Sequence, residues 1–170
     1  RILSEGDSAS LLFGDAAAAT LLTRQPLWVM NDYKIRMVTS GWDKLCRESN
    51  SLSMNGRAIY EFAARVVPEE ICRLLEQNSM APENIDTYLV HQGSKAVVDA
   101  VAKSFPQIED RFPTNLANLG NTVSSSLPIL LEEAIQAPSR PVSRFVACGF
   151  GVGLTCATAL FEQVDSAYVS

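Results

Sequence analysis

The spacing of hydrophobic positions changes several times along the chain, and each change predicts a different element. Over residues 57–78 apolar residues recur every three or four positions, which predicts an amphipathic helix. Pro68 lies in the middle of this pattern and should break or kink the helix, because proline has no backbone N–H. Residues 94–105 and 124–137 show the same period and predict two further helices, the first with Ser94 as its N-cap.

Apolar runs of strand length flank these helices. Residues 8–13 and 16–23, separated by Gly14-Asp15, predict the two strands of a buried hairpin. Further extended segments are predicted over residues 27–40, 85–90, 144–148 and 154–162. Because strands alternate with helices, the pattern favours an α/β layered domain with a central sheet.

The composition is that of a folded domain. The chain has 170 residues, of which 47% are hydrophobic and 19% charged, so it has enough apolar material for one core. The 14 Lys and Arg residues against 19 Asp and Glu give a formal net charge of −5. This acidic balance argues against a nucleic-acid or anionic-membrane binder, which carries a basic excess or stripe. No apolar run approaches the roughly 18 residues that a membrane-spanning helix needs.

The cysteines and the single histidine restrict metal and redox chemistry. No C-x-x-C pair occurs, and His91 has no Cys/His cluster around it with the spacing of zinc ligands. We therefore expect no metal site, and reduced, mostly buried thiols in a cytoplasmic protein. The four cysteines are Cys46, Cys72, Cys148 and Cys156.

Three segments carry candidate chemistry. His91 follows a short apolar strand and precedes a helix, and ligands collect at the carboxyl ends of strands in α/β sheets. Asn121 precedes a serine-rich helix start. Taken alone, His91 is better explained as a core or surface histidine, and Asn121 as a turn residue or a helix cap. The glycine cluster 149–153 lacks the strand–G-x-G-x-x-G–helix context of a dinucleotide site and, alone, fits a tight hairpin connection.

Together these segments belong to five short motifs in a fixed order. The motifs are Phe13-Gly14-Asp15-Ala16-Ala17-Ala18, Met54-Asn55-Gly56-Arg57, Val90-His91-Gln92-Gly93, Leu119-Gly120-Asn121-Thr122 and Gly149-Phe150-Gly151-Val152-Gly153-Leu154-Thr155. In this order they resemble the C-terminal half of β-ketoacyl-acyl-carrier-protein synthase III, a condensing enzyme of the thiolase fold. The resemblance implies an α/β fold, the C-terminal half of a thiolase-like fold, with a mixed central sheet and layered helices. Residues 1–25 would be the last hairpin of the N-terminal half, and residues 26–170 the C-terminal half.

The resemblance also implies a reaction. In the family, a cysteine takes an acyl group from an acyl-CoA, and a malonyl thioester, malonyl-ACP or malonyl-CoA, then loses CO₂ and attacks the acyl-cysteine. His91 and Asn121 match the two neutral donors that stabilise the enolate oxygen formed on decarboxylation. No cofactor is implied. The family's nucleophilic cysteine lies in the N-terminal half, which this chain lacks, so the chain alone is expected to be inactive.

Four further positions match substrate-handling residues of the family. The backbone N–H of Val152 matches an oxyanion-hole donor, at a position where the family more often has glycine. Phe150 would pack beside the nucleophile. Gly56 and Ser94 match positions along the tunnel for the pantetheine arm, where small residues let the arm pass.

The carrier-protein contact departs from the family pattern. Family members commonly carry Arg where this chain has Ala96, and that Arg helps to dock the acidic acyl carrier protein. Lys95 and Lys103 are the residues expected to compensate. If they do not, the malonyl donor would be a CoA thioester.

Two functions follow as alternatives. The first is the C-terminal half of a synthase III-like acyltransferase of fatty acid biosynthesis, completed by its own N-terminal half or a partner chain. The second is a catalytically silent thiolase-fold partner or scaffold subunit. Retention of both His91 and Asn121 favours the first, because a silent module has no chemical need for that pair. The acyl primer and the oligomeric state stay open.

Overall fold

A mixed β-sheet forms the centre of the protein, for which a computed structural model describes residues 11–48, 51–137 and 141–164. Its strands are β1 (Trp28–Met37), β4 (Thr87–Val90), β5 (Arg144–Gly151) and β6 (Thr155–Gln163). They lie in the order β1-β6-β5-β4, with β4 and β5 parallel and the other neighbouring pairs antiparallel. A separate antiparallel hairpin consists of β2 (Leu45–Glu48) and β3 (Ser51–Met54).

Helices cover both faces of this sheet. They are α1 (Gly56–Gln77), α2 (Lys95–Ala102), the short α3 (Leu116–Leu119) and α4 (Ser126–Gln136). The larger core cluster joins α1 and α2 to inward residues of the strands, among them Tyr88 and Val90. The smaller one joins α4 to Leu89 and Phe145. Because neighbouring strand residues point to opposite faces, Leu89 and Val90 belong to different layers, and the sheet separates the two cores.

Helix α1 runs unbroken through Pro68, so the predicted break is wrong. The Asn55 side chain caps its start by accepting a hydrogen bond from the N–H of Ala58 at 3.0 Å. Its buried stripe extends on both sides of the proline and comprises Phe62, Ala63, Val66, Val67, Glu70, Ile71, Leu74 and Leu75. Burial of this stripe outweighs the single helical hydrogen bond that proline removes.

The predicted N-terminal hairpin is not formed over the described residues. Residues 14–27 contain no strand, and Leu21 and Leu22 are exposed; residues 8–10 lie outside the described part. Only Phe13 makes a bridge, parallel to Asn121. A strand needs a hydrogen-bonding neighbour along its length, and none of the described strands offers one to this segment. Its assignment to the N-terminal half remains a prediction.

The other predicted elements are confirmed, with shifted ends. Strand β4 begins at Thr87, two residues later than predicted, and β5 continues through Gly151 into the glycine cluster. Cys72, Cys148 and Cys156 are free thiols, of which Cys148 and Cys156 are buried and Cys72 is half-buried; Cys46 is also half-buried. None of the described helices is long and apolar enough to cross a membrane.

Candidate functional site

His91 lies at the carboxyl end of two parallel strands. Its backbone N–H donates to the carbonyl of Cys148 at 2.8 Å, which continues the pairing of β4 with β5 beyond Val90. The imidazole meets the ring of Phe150 edge-on, with 5.1 Å between ring centroids. On its other side, Nδ1 lies 2.9 Å from Oγ of Ser126, the first residue of α4. The ring is therefore held between the end of β5 and the start of α4.

The surroundings of His91 favour its neutral form. Burial lowers the pKa of the imidazole below the ordinary value of 6.5, and a hydrogen bond to the Val123 backbone opposes this only in part. The side-chain hydrogen bonds of the described residues give a partner to Nδ1 and none to Nε2, which leaves Nε2 without a side-chain partner.

Asn121 is held by both its backbone and its side chain. Its N–H donates to the carbonyl of Leu12 at 2.8 Å, and its carbonyl accepts from the N–H of Gly14 at 3.0 Å. In the side chain, Oδ1 accepts from the N–H of Val123 at 2.9 Å, and Nδ2 donates to the carbonyl of Gly93 at 3.4 Å. Because an N–H can only donate and a carbonyl can only accept, these partners fix the orientation of the amide. One Nδ2 proton is left to donate to a further group.

Hydrogen bonds join these two side chains through residues that the sequence alone does not single out. Oδ1 of Asn121 accepts from the N–H of Val123, whose carbonyl accepts from Oγ of Ser126 at 2.8 Å, and that Oγ contacts His91. Val123 has φ +55°, in the left-handed region that β-branched residues avoid. The only signal for Ser126 is the serine run 124–126, which indicates a helix start and nothing more.

Gln92 anchors the end of β4 beneath the site. Its side chain is fully buried, and Nε2 donates to the carbonyl of Val90 at 2.8 Å. Its Oε1 accepts from Oγ1 of Thr114 at 2.9 Å and from the N–H of Asn115 at 3.3 Å. The side chain thus ties the strand end that carries His91 to the loop that leads to Asn121.

The remaining predicted site positions are arranged more loosely. Phe150 contacts His91, whereas Val152 lies in the exposed turn between β5 and β6. Gly153 follows it with φ +134°, where an added Cβ would lie 2.3 Å from Oγ1 of Thr155, so glycine is required. Gly56 begins α1 with open space where a Cβ would be.

Three predicted site residues lie on α2 or at its ends, and each either bonds within the helix or is exposed. Ser94 is its N-cap, as predicted, and its Oγ accepts from the N–H of Val97 at 3.4 Å. Lys95 is exposed and forms an ion pair with Asp99 at 2.6 Å. Lys103 is exposed and immediately follows the helix.

Comparison with known proteins identifies a family. The family description "3-oxoacyl-[acyl-carrier-protein (ACP)] synthase III C terminal" matches residues 75–163. The β-ketoacyl-[acyl-carrier-protein] synthase III of Lactococcus lactis subsp. cremoris strain MG1363 is 36% identical over 91% of this chain and 53% of its own length. The same enzyme of Gloeobacter violaceus is 41% identical over 62% of this chain and 32% of its own. The chain thus spans about half, or less, of the curated relatives it matches.

Solved structures agree with this and confirm the expected thiolase-like α/β fold. A β-ketoacyl-[acyl carrier protein] synthase III from Thermus thermophilus superposes with TM-score 0.79 and 25% identity, over 96% of this chain and 56% of that one. A second 3-oxoacyl-(acyl-carrier-protein) synthase III gives TM-score 0.71 and 27% identity, over 86% and 50%. The chain belongs to the 3-oxoacyl-[acyl-carrier-protein] synthase III family and corresponds to its C-terminal half.

Proposed function

We propose that this chain is the C-terminal half of an acyltransferase that condenses an acyl-CoA primer with a malonyl thioester. One observation carries the proposal: a continuous series of hydrogen bonds links the side chain of Asn121 to that of His91, which lies at the carboxyl end of β4. It leaves one Nδ2 proton of Asn121 and the Nε2 atom of His91 for a substrate. A scaffold module would have no need to keep these two atoms available, or to hold the two side chains in fixed positions.

In the proposed chemistry, the side chains of His91 and Asn121 both stabilise the same substrate oxygen. When the malonyl thioester loses CO₂, the electron pair of the broken C–C bond forms an enolate, and negative charge develops on the thioester oxygen. A preorganised donor at such an oxygen contributes about 2.7–4 kcal/mol. The enolate carbon then attacks the acyl-cysteine carbonyl and expels the cysteine thiolate. That cysteine would come from the N-terminal half of the enzyme.

The substrate would bind among the elements that surround His91 and Asn121. We assign the pantetheine arm to the path between Gly56 and Ser94, with Phe150 packed beside the reacting atoms and the N–H of Val152 serving the acyl-transfer oxyanion. Acyl carrier protein would contact Lys95 and Lys103. The pairing of Lys95 with Asp99 reduces the positive charge offered there, which supports malonyl-CoA as the alternative donor.

A second polypeptide segment is required for this function, and the sheet offers it a surface. On β1, Tyr33, Ile35 and Met37 point to the same face and are 59%, 65% and 61% exposed. Apolar side chains in such a row are typical of a surface that packs against another element. We assign this row, the β1 face, to contact with the N-terminal half. The cytoplasmic location, expected because the cysteines are predicted to be reduced, stays a prediction.

The test is a condensation assay in which the N-terminal half, with its cysteine, is present. His91→Ala and Asn121→Ala should each reduce decarboxylation of the malonyl thioester by about 10²–10³-fold, the effect of losing one oxyanion donor. Loading of the cysteine from acyl-CoA should persist. Ser124→Ala, an exposed neighbour, serves as the control and should keep full activity. Unchanged decarboxylation in both site variants would contradict the roles assigned to His91 and Asn121, and an unsubstituted assembly that does not decarboxylate the malonyl thioester would favour the silent scaffold.

A further inference from the structure

The turn between β5 and β6 is held from one side by the segment that follows β1. The N–H of Val38 donates to the carbonyl of Leu154 at 2.8 Å, directly beyond the last residue pair that joins β1 to β6. The side chain of Leu154 is buried, with 3% exposed, whereas Val152, two residues earlier, is 66% exposed. The turn is therefore anchored at Leu154 and open at Val152.

Gly41 provides the space for this anchor. Gly41 is buried, and a Cβ built on it would lie 2.9 Å from Cγ of Leu154 and 3.1 Å from Cδ1. The described glycines with positive φ are Gly120 and Gly153, so Gly41 is needed for its small size and not for its backbone conformation. Because protein interiors are close-packed, a side chain at position 41 has to displace Leu154.

The same segment reaches the start of α1. The N–H of Gly41 donates to the carbonyl of Val38 at 3.0 Å, and its carbonyl accepts from the N–H of Lys44 at 3.0 Å. The carbonyl of Lys44 in turn accepts from the N–H of Asn55, the N-cap of α1, at 2.8 Å. A series of backbone hydrogen bonds through Gly41 thus connects the β5–β6 turn to the start of α1.

We propose that Gly41 is a positioning residue that keeps the N–H of Val152 in place for acyl transfer. This inference rests on the proposed function, which assigns that N–H to the oxyanion. During loading, the cysteine sulfur bonds to the thioester carbonyl carbon, and the carbonyl oxygen carries negative charge until the CoA thiolate leaves. The turn and loop hydrogen bonds of the described residues include none from the N–H of Val152, so it is available to that oxygen.

The effect of Gly41 should be confined to one partial reaction. The exposed side chain of Val152 does not hold the turn, so the place of its N–H depends on the anchor at Leu154. A misplacement of about 1 Å can cost about 100-fold in rate. The hydrogen bonds of His91 and Asn121 pass through neither residues 38–44 nor residues 152–154. Loss of the anchor should therefore slow loading from acyl-CoA and spare decarboxylation of the malonyl thioester.

The assembly with the N-terminal half gives the first test. Gly41→Ala should slow acyl loading by about 10–100-fold and change malonyl decarboxylation by less than about twofold. Ser40→Ala, an exposed neighbour, is the control and should keep both rates. Gly41→Ala combined with Leu154→Ala removes the clashing Cγ and should load faster than Gly41→Ala alone, although it loses more core packing. Unchanged loading in Gly41→Ala, or an equal loss of both rates, would overturn the assignment.

The 170-residue chain alone gives a second test, which needs no activity. Gly41→Ala should shift the amide resonances of Val152 and Gly153 and speed hydrogen exchange of the Val38 amide, whereas Ser40→Ala should change neither. Leu154→Ala removes the anchored side chain without a clash and should give the same changes, so the outcome does not depend on the folding of Gly41→Ala. Unaltered Val152 and Gly153 resonances in these folded variants would overturn the role of Gly41. An unsubstituted assembly that loads no acyl group would instead refute the proposed function, and these resonances would still decide whether Gly41 holds the turn.

Discussion

The N–H of Gly14 donates to the backbone carbonyl of Asn121 at 3.0 Å, and the N–H of Asn121 donates in return to Leu12 at 2.8 Å. These two bonds, together with one from Oγ of Ser125 to the carbonyl of Ala16 at 3.4 Å, connect the N-terminal segment to the candidate site. The approach is close, because a Cβ built on Gly14 would lie 1.8 Å from the carbonyl oxygen of Leu119. Only glycine fits there without movement of the loop that carries Asn121.

We therefore expect Gly14→Ala to separate the N-terminal segment from Asn121. The segment beyond Gly14 is exposed, so the clash is relieved by local detachment at little cost to the core. Hydrogen exchange should show faster exchange of the Asn121 amide, whose acceptor on Leu12 is lost. Gly151→Ala is the control, because an added Cβ there meets nothing within 4 Å. Undiminished protection of Asn121 in Gly14→Ala would contradict the prediction.

Pro68 is a local weakness in α1, and replacing it should stabilise the chain. In Pro68→Ala the restored N–H completes a helical hydrogen bond, and alanine has the best helix propensity. We expect the free energy of unfolding to rise by about 1–2 kcal/mol, less than the full propensity difference of about 3 kcal/mol because proline also restricts the unfolded chain. Urea titration measures this change.

Pro128 offers the matched control for that experiment. It lies in the first turn of α4, where a backbone N–H has no helical partner to lose. Pro128→Ala should therefore give no comparable gain. Equal stabilisation by the two variants would show that a general effect of proline, and not the interrupted hydrogen bond of α1, is responsible.

The elements were predictable from the sequence where local pattern decides them. The apolar period of α1 is strong enough to predict a helix, yet the tolerance of Pro68 depends on how much of the stripe is buried on both sides. The hairpin over residues 8–23 shows the opposite case. Its residues have strand character, but a strand forms only where a partner edge exists, and composition does not show whether one does.

The site was predictable in its members and not in its connections. His91 and Asn121 stand out through the ordered motifs that contain them. Ser126 does not, because its importance comes from a contact between residues 35 positions apart along the chain. The left-handed conformation of Val123 is equally hidden, since valine is among the residues that avoid it. Both follow from tertiary hydrogen bonds at the start of α4.

We expect a charge on the β1 face to have little effect on the stability of the isolated chain and to weaken its association with the N-terminal half. Ile35→Asp places a charge in the middle of this apolar row, at a side chain that is 65% exposed. We expect the stability of the chain alone to change by about 1 kcal/mol or less. Binding to the N-terminal half of a synthase III, supplied as a separate chain, should weaken at least about tenfold, since burial of an unpaired carboxylate costs more than 1.4 kcal/mol.

Isothermal titration calorimetry measures that binding. Ile135→Asp provides the control, because Ile135 is 46% exposed on α4 and lies outside the β1 face. Its effect on the stability of the chain should be similar, and its effect on association absent. If both variants bind as the unsubstituted chain does, the β1 face does not receive the N-terminal half.

The buried imidazole of His91 should make stability depend on pH. Burial lowers the pKa of His91 in the folded state below its ordinary value of 6.5, so the unfolded chain binds a proton first as the pH falls. Stability contributed by the neutral ring is therefore complete above about pH 6.5 and is lost as the pH drops from there toward the folded-state pKa.

His91→Gln removes the titrating group. Since no other histidine is present, the difference in unfolding free energy between the two proteins, measured in urea at about pH 8 and about pH 5, isolates this residue. The unfolding free energy of the unsubstituted chain minus that of His91→Gln should be smaller at the lower pH. A constant difference would mean that His91 titrates alike in the folded and unfolded states.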